Sequence, residues 1–403
     1  MGIATTGLVT FAYFALAAHA LTPVEYKRIS LVWSIMFVVA SVIYRPIEQL
    51  LSRTIAEGRA RGATDHPLRQ ALSIQAGFAL GFLVLALALR GPLQDDLFDG
   101  SDELYWILVV GVLFYAASYF ARGYVAGHQR FELYGGLVFL EATSRVLFAV
   151  AAVVGITTGQ TAVALGMAAG PLVSLVLVPL FLRRRESAAA RRAERTAGMA
   201  SFAGAVLVIM AAEQTLLNAA VLTVEGTSSD AALAGIVFSV LLIARAPLQL
   251  FQAVQGSLLP HLAGLQATAG AAEFDRAIRI TVLAIASFAL AVALGLFAVG
   301  PPVVQGLFDI DRDLGRAGLA LVGLGMGFHL VAGTLNQAAL ARGQAVGAAA
   351  AWLLAAAAFV AWMLSPVVDD QLLRAELGYC CAAALLAALL AMVYRVRAAA
   401  TAS

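Results

Sequence analysis

Apolar runs dominate this chain. Between charged or Gly/Pro-rich breaks, twelve stretches recur near residues 2–21, 30–51, 70–89, 104–126, 133–155, 161–182, 199–222, 231–255, 278–299, 317–339, 347–366 and 375–393. A helix needs about 20 such residues to cross a hydrocarbon core of about 30 Å. Of 403 residues, 62% are hydrophobic and 12% charged. That is about half of the roughly 25% charged fraction of soluble domains, so a water-facing surface cannot be built from it. An outer-membrane barrel would show runs of about ten residues alternating apolar and polar. Ala349 to Val360 shows no alternation, which excludes the barrel. The sequence therefore predicts an all-α polytopic membrane protein of about twelve transmembrane helices.

The first run ends in Ala18-His19-Ala20, similar to a signal-peptidase site, but it lacks a positively charged leader. We expect it to be a retained helix, and expect a few native residues upstream of Met1. The adjacent Cys380 and Cys381 lie in an apolar stretch without a ligand cluster, so they read as packing or lipid-side residues rather than as a disulfide or metal site. Sorted by alternate loops, Arg53, Arg59, Arg61, Arg69, Arg122, Arg130, the six arginines between Arg183 and Arg195, Arg276, Arg279, Arg342, Arg395 and Arg397 fall on one side. Lys27, Arg28, Arg90, Arg312, Arg316 and Arg374 fall on the other, with acid runs such as Asp95, Asp96, Asp99 and Asp309, Asp311, Asp313. By the positive-inside rule both termini are cytoplasmic and the protein is a multi-pass inner-membrane protein. Basic residues spread between spans make no nucleic-acid face.

The longest basic loop lies midway. It predicts an N-terminal lobe over 1–183, a cytoplasmic linker over 184–198, a C-terminal lobe over 199–394 and a cytoplasmic tail over 395–403. Sequence echoes support two repeats. Val32-Trp33-Ser34-Ile35 matches Val237-Phe238-Ser239-Val240, each followed by an arginine and a proline, Arg45-Pro46 and Arg245 with Pro247. Ala126-Gly127-His128-Gln129 is similar to Ala341-Arg342-Gly343-Gln344. With an even number of spans per half, the repeats share a topology, which predicts two six-helix lobes related by a pseudo-two-fold axis along the membrane normal, with a central cavity.

Three segments carry a family resemblance: Leu21-Thr22-Pro23-Val24-Glu25-Tyr26, Arg122-Gly123-Tyr124-Val125-Ala126-Gly127 with Arg130-Phe131, and Asn336-Gln337-Ala338-Ala339-Leu340-Ala341-Arg342-Gly343-Gln344. With twelve spans, their order resembles the multidrug/oligosaccharidyl-lipid/polysaccharide (MOP) flippase superfamily, and within it the O-antigen and polysaccharide flippase branch. Lys27 stands where that family's turn usually has glycine, and lipid II flippases of the superfamily usually carry fourteen spans. The resemblance implies alternating-access flipping of an undecaprenyl-phosphate-type lipid-linked oligosaccharide, without catalysis and without a cofactor. The implied partners are the lipid-linked glycan, membrane lipids and a coupling ion, with the chain acting as a monomer.

Ionisable side chains inside spans are the candidate site residues, because each costs about 2.5–3.5 kcal/mol at a helix centre and must face protein or a wet cavity. Glu141 and Arg145 lie at i and i+4 and suit a same-face pair. Arg45 and Glu48 at i and i+3 suit a local pair, or Arg45 can snorkel. Arg245 has no acid three or four residues away, so it needs Glu213 of the preceding helix or a ligand. Arg45, Arg145 and Arg245 are the candidate headgroup contacts, since guanidinium groups bind phosphate oxygens in pairs and stay charged at any cellular pH. Glu48, Glu141, Glu213, Gln214, Asn218, His329 and Asn336 are candidate polar partners in the same cavity, or else helix-bridging residues. Pro46, Pro171 and Pro247 are candidate kinks. Two rivals stand beside the flippase. A cation-extruding drug antiporter would want uncompensated acids in its cavity, and helix one has none. A membrane-embedded glycan transferase or polymerase would need an extracytoplasmic catalytic loop, and the longest here are about fifteen to seventeen residues. No Walker-type phosphate loop is present.

Overall fold

A computed structural model describes residues 2–60, 68–177, 199–245, 247–248 and 271–400, and among these no strand occurs. The helices are α1 (Gly2–Ala20), α2 (Pro23–Val39), α3 (Arg45–Ala60), α4 (Leu68–Ala88), α5 (Asp102–Gly127), α6 (Phe131–Val153) and α7 (Gly159–Ser174). They continue with α8 (Met199–Thr227), α9 (Leu233–Arg245), α10 (Ala271–Phe308), α11 (Arg316–Ala341), α12 (Ala345–Leu364) and α13 (Gln371–Ala400). Nine helical stretches among the described residues are long and apolar enough to cross a membrane. The fold is an all-α polytopic membrane fold. The expected linker over 184–198, the expected ends of the sixth and eighth spans and residues 401–403 lie outside the described residues.

The chain divides into two compact units, Met1–Ala203 and Gly204–Ser403. In the first, α2 and α3 form a single passage, Pro23–Ser52, joined by a π turn over Ala40–Tyr44. Pro46 has no N–H to give the carbonyl of residue 42 and its ring crowds that turn, which accounts for the widened helix just before it. The passage starts earlier than the expected residue 30 because Thr22 caps it. The Glu25 amide reaches Thr22 Oγ1 at 3.4 Å, the Glu25 carboxylate accepts from the Thr22 amide at 3.0 Å, and Pro23 occupies the first turn. Lys27 and Arg28, assigned above to a loop, therefore sit on a helix. In the second unit α10 runs through Pro301 and Pro302, beyond the expected end near residue 299.

Glycine pairs four residues apart set the close helix contacts. On α5, a Cβ at Gly123 would lie 2.8 Å from the Glu48 carbonyl oxygen of α3, and one at Gly127 would lie 2.9 Å from that of Ser52. On α7, Gly166 and Gly170 meet the carbonyl oxygens of Arg145 and Glu141 on α6, each at 3.0 Å. On α11, Gly323 and Gly327 face Ala293 and Ala289 of α10, while Gly318 and Gly325 face Glu376, Tyr379 and Cys380 of α13. The same glycines thus fix where the membrane-embedded charges fall. Cys380 is buried and Cys381 exposed, both unbridged.

The two units also share a detail that the sequence echoes did not include. Leu97-Phe98-Asp99 precedes α5 and Leu307-Phe308-Asp309 precedes α11. In each the phenylalanine is buried and the aspartate adopts a left-handed backbone with φ of 50°. Asp99 receives Arg28 Nε at 2.8 Å and Lys27 Nζ at 3.5 Å. Partial burial pulls its carboxyl up, but the hydrogen bond and charge from Arg28 and Lys27 outweigh that and hold it below the usual carboxylate range. In the second unit the polarity is exchanged, with Arg312 of the α10–α11 turn reaching Asp230 of the α8–α9 turn at 3.3 Å.

Candidate functional site

In the first unit, Glu141 near the middle of α6 is the hub. Arg145, one turn on, gives Nη2 to Glu141 Oε1 at 3.2 Å, which is the i, i+4 pair expected from the sequence. Arg122 of α5 binds the other carboxylate oxygen. Tyr115 donates to Oε1 at 3.0 Å and Ser118 to Oε2 at 3.4 Å, and Ser118 in turn meets Ser174 of α7 at 3.3 Å. Arg145 Nη2 also reaches the Tyr115 hydroxyl at 3.4 Å, and its guanidinium lies 4.4 Å from the centre of the Trp33 ring on α2. Arg145 is 3% exposed, and its Nε and Nη1, like Nε of Arg122, carry no hydrogen-bond partner among the described residues.

Glu48 joins the same cluster. It is buried, hydrogen-bonded with Tyr134 and acted on by the charges of Arg122 and Arg45. Arg45 is half-buried at the start of α3 and lies close enough to act on Glu48, Tyr119 and Tyr134. The cluster thus holds three arginines, Arg45, Arg122 and Arg145, against two glutamates. The sequence reading misses Arg122, counting it with loop charges because it stands near the end of its span. The adjacent Gly123 is the signal that could have found it, since it brings the α5 backbone onto α3 beside Glu48.

In the second unit, Arg245 of α9 reaches α8, the helix that the sequence pointed to. It donates to the Leu217 carbonyl and, at 3.0 Å, to Asn218 Oδ1, one turn beyond Glu213. Its guanidinium lies 5.0 Å from the Phe238 ring centre. Trp33 and Phe238, matched in the repeat, therefore each carry a guanidinium over the ring, supplied by α6 in one unit and by α9 itself in the other. Asn218 Nδ2 bonds the Gln214 carbonyl at 3.0 Å and Gln214 Oε1 at 3.3 Å. Arg245 and Glu213 both act electrostatically on Tyr379 of α13. The Tyr379 hydroxyl meets His329 Nδ1 at 3.4 Å, the His329 ring packs edge-on against Trp352 at 5.5 Å, and Trp352 Nε1 donates to Asn336 Oδ1 at 3.1 Å. Within the second unit, Gln214, Asn218 and Arg245 thus form one hydrogen-bonded group and His329 and Asn336 are joined through Tyr379 and Trp352 in another, with Arg245 and Glu213 near enough to act on Tyr379. Arg45, Arg145, Glu48 and Glu141 belong to the cluster of the first. Among the described residues no group of three metal-binding side chains occurs.

No family model matches the chain, and no curated protein matches it in sequence. Solved structures do match in fold. A MOP superfamily transporter from Pyrococcus furiosus aligns with a TM-score of 0.70 at 13% identity, over 100% of this chain and 94% of the other. The Vibrio cholerae MATE transporter VcmN, in the form of a point mutant, gives 0.68 at 14% identity over 98% and 94%. The lipid II flippase MurJ, in an inward closed conformation, gives 0.68 at 12% identity over 97% and 86%. The fold is that of MOP superfamily transporters and flippases. The likeness spans nearly the whole chain and is a likeness of fold.

Proposed function

We propose that the protein is a non-enzymatic transporter of the cytoplasmic membrane that flips a lipid-linked oligosaccharide by alternating access, with Arg45, Arg145 and Arg245 contacting its phosphate or pyrophosphate headgroup. The observation that carries this reading is a 3% exposed Arg145, beside Arg122 and Arg45, whose Nε and Nη1 protons meet no acceptor among the described residues. A buried guanidinium with spare donors is suited to a bidentate anionic oxygen pair. Glu141 organises the cluster, and Tyr115, Tyr119 and Tyr134 supply hydroxyls beside it. In the second unit, Gln214, Asn218, His329 and Asn336 offer amide and imidazole groups suited to sugar hydroxyls, and Glu48 and Glu213 balance charge.

The structures similar in fold include both a flippase and multidrug resistance transporters. Lipid II is the flippase MurJ's named cargo, and VcmN is a MATE transporter. The Pyrococcus furiosus protein is described by a binding pocket of reverse polarity that suggests a different function. A pump for cations would want unpaired acid where the described cluster buries arginine donors that meet no acceptor, so the anionic amphiphile is favoured.

The test is a reconstituted assay with a fluorophore-tagged polyprenyl-diphosphate disaccharide in liposomes, scored by reagent access to the tag, beside a cationic dye. Wild type should speed access to the glycolipid and leave the dye unmoved. Arg145→Ala leaves Glu141 paired with Arg122, so it should fold and yet flip at least about tenfold more slowly, a loss of about 1.4 kcal/mol. Arg145→Lys should rescue in part. Unchanged flipping per folded molecule in Arg145→Ala, or transport of the dye alone, would overturn the proposal.

A further inference from the structure

Glu376 stands on α13 about a turn and a half past its start, and the sites above leave it unused. It is 3% exposed, no ion pair reaches it among the described residues, and Oε1 is shut off from solvent without a hydrogen-bond partner. The place it occupies is built. A Cβ at Gly318 of α11 would overlap the carboxyl, and two turns on, a Cβ at Gly325 would lie 2.8 Å from Tyr379 Cδ1 and 3.0 Å from Cys380 Cα. Two glycines on one face of α11 thus let the seam with α13 close tightly, and the upper one is filled by a carboxyl group instead of a methyl. An ionised carboxylate there would keep Oε1 without water and, among the described residues, without a counter-charge, whereas a protonated one is an ordinary buried polar group.

Among the described residues no cation faces it. Asp370, which caps α13 by accepting from the Leu372 amide at 2.8 Å, acts on Glu376 with a like charge. Arg374 turns its guanidinium back to the Val368 carbonyl. On α11, Arg316 is exposed, and α12 carries no charged residue. Of the other titratable groups on α13, Tyr379 is engaged by His329 and Cys380 lies one turn further.

We propose that Glu376 is a proton-binding site of the second unit, loaded while the α11–α13 seam is closed on it and discharged to water when the seam parts at Gly318. This stands independently of the substrate assigned above, because it rests on a different unit and different residues. The experiment is infrared spectroscopy of the full chain in liposomes, titrated between about pH 5 and pH 9, a range that spans the values documented for buried glutamates. Wild type should show a protonated-carboxyl C=O band that fades as the pH rises, is lost in Glu376→Gln, and moves in frequency in Glu376→Asp. The aspartate variant keeps the test open if the amide one fails to fold. Absence of any band that responds to these substitutions, or a Glu376 band unchanged across the titration, would overturn the proposal.

Discussion

Removing the Glu141 carboxylate should destabilise the first unit more than any other single change in its cluster. Glu141 is 5% exposed and takes hydrogen bonds from Arg122, Arg145, Tyr115 and Ser118. Hydrogen bonds to charged groups contribute about 1.5–3 kcal/mol each, and removing one partner of a buried ion pair costs about 3–5 kcal/mol, because the other is left uncompensated. Glu141→Ala leaves two buried guanidinium groups that lean on one carboxylate, so a loss in the upper part of that range, about 4–5 kcal/mol, is expected. Glu141→Gln keeps the shape and should lose about 3 kcal/mol. Reversible unfolding in mixed micelles measures both, with Arg122→Gln and the double variant completing a cycle. The pair should couple by at least about 1 kcal/mol, within the range for contacting residues. A Glu141→Gln effect below about 0.5 kcal/mol, or additive single and double variants, would show that the carboxylate does not hold the arginines and would remove the account of the cluster.

Two further outcomes follow from packing and from the α4–α5 turn. Gly123→Ala places a Cβ 2.8 Å from the Glu48 carbonyl oxygen and 3.0 Å from its Cα, both backbone atoms, so it should cost about 1–3 kcal/mol in thermal unfolding. Gly77→Ala, with nothing within 4 Å, should be neutral or stabilising by up to about 1 kcal/mol. Equal effects would refute the close α3–α5 contact. Asp99 has its folded carboxyl held below the usual range by Arg28 and Lys27 against the pull of partial burial, so its contribution is present above the unfolded value of about 3.9 and is lost as the pH falls through the lower folded value. The side chain is 43% exposed, so the effect is small and screened by salt. Asp99→Asn should therefore lower the melting temperature slightly at pH 7, by an amount that shrinks progressively as the pH falls below about 3.9. A difference that persists or grows in acid would contradict the assignment.

What was legible in the sequence was what depends on the length and polarity of a run. Twelve apolar stretches mark the passages because a helix must be long enough for the bilayer whatever its neighbours are, and Glu141 with Arg145 are a pair because both lie on one helix face. Boundaries were less legible where a local device overrode the charge pattern. Thr22, Pro23 and Glu25 start α2 a full turn and more before its apolar run, which places Lys27 and Arg28 on a helix where they can grip Asp99.

The partners of the embedded charges were the hardest to read, for a physical reason. A search for compensating charge looks for acids near bases and passes over the amide oxygen and the backbone carbonyl of α8 that Arg245 also meets, acceptors that carry no formal charge. Arg122 binds Glu141 of α6, nineteen residues away, while Gly123 and Gly127 bring its own helix α5 onto α3, where the Arg122 charge also acts on Glu48. The information was in the sequence as small residues four apart, directly beside a charge. Small-residue spacing reports how near two backbones come, and a charge next to such a spacing is the one whose partner lies on the other helix. By the same reasoning Gly166 and Gly170 mark Glu141 and Arg145 on α6, and Gly318 marks Glu376 on α13. In each unit the glycine face and the buried charge belong to one arrangement, in which close approach of the backbones excludes the lipid and water that would otherwise screen the charge.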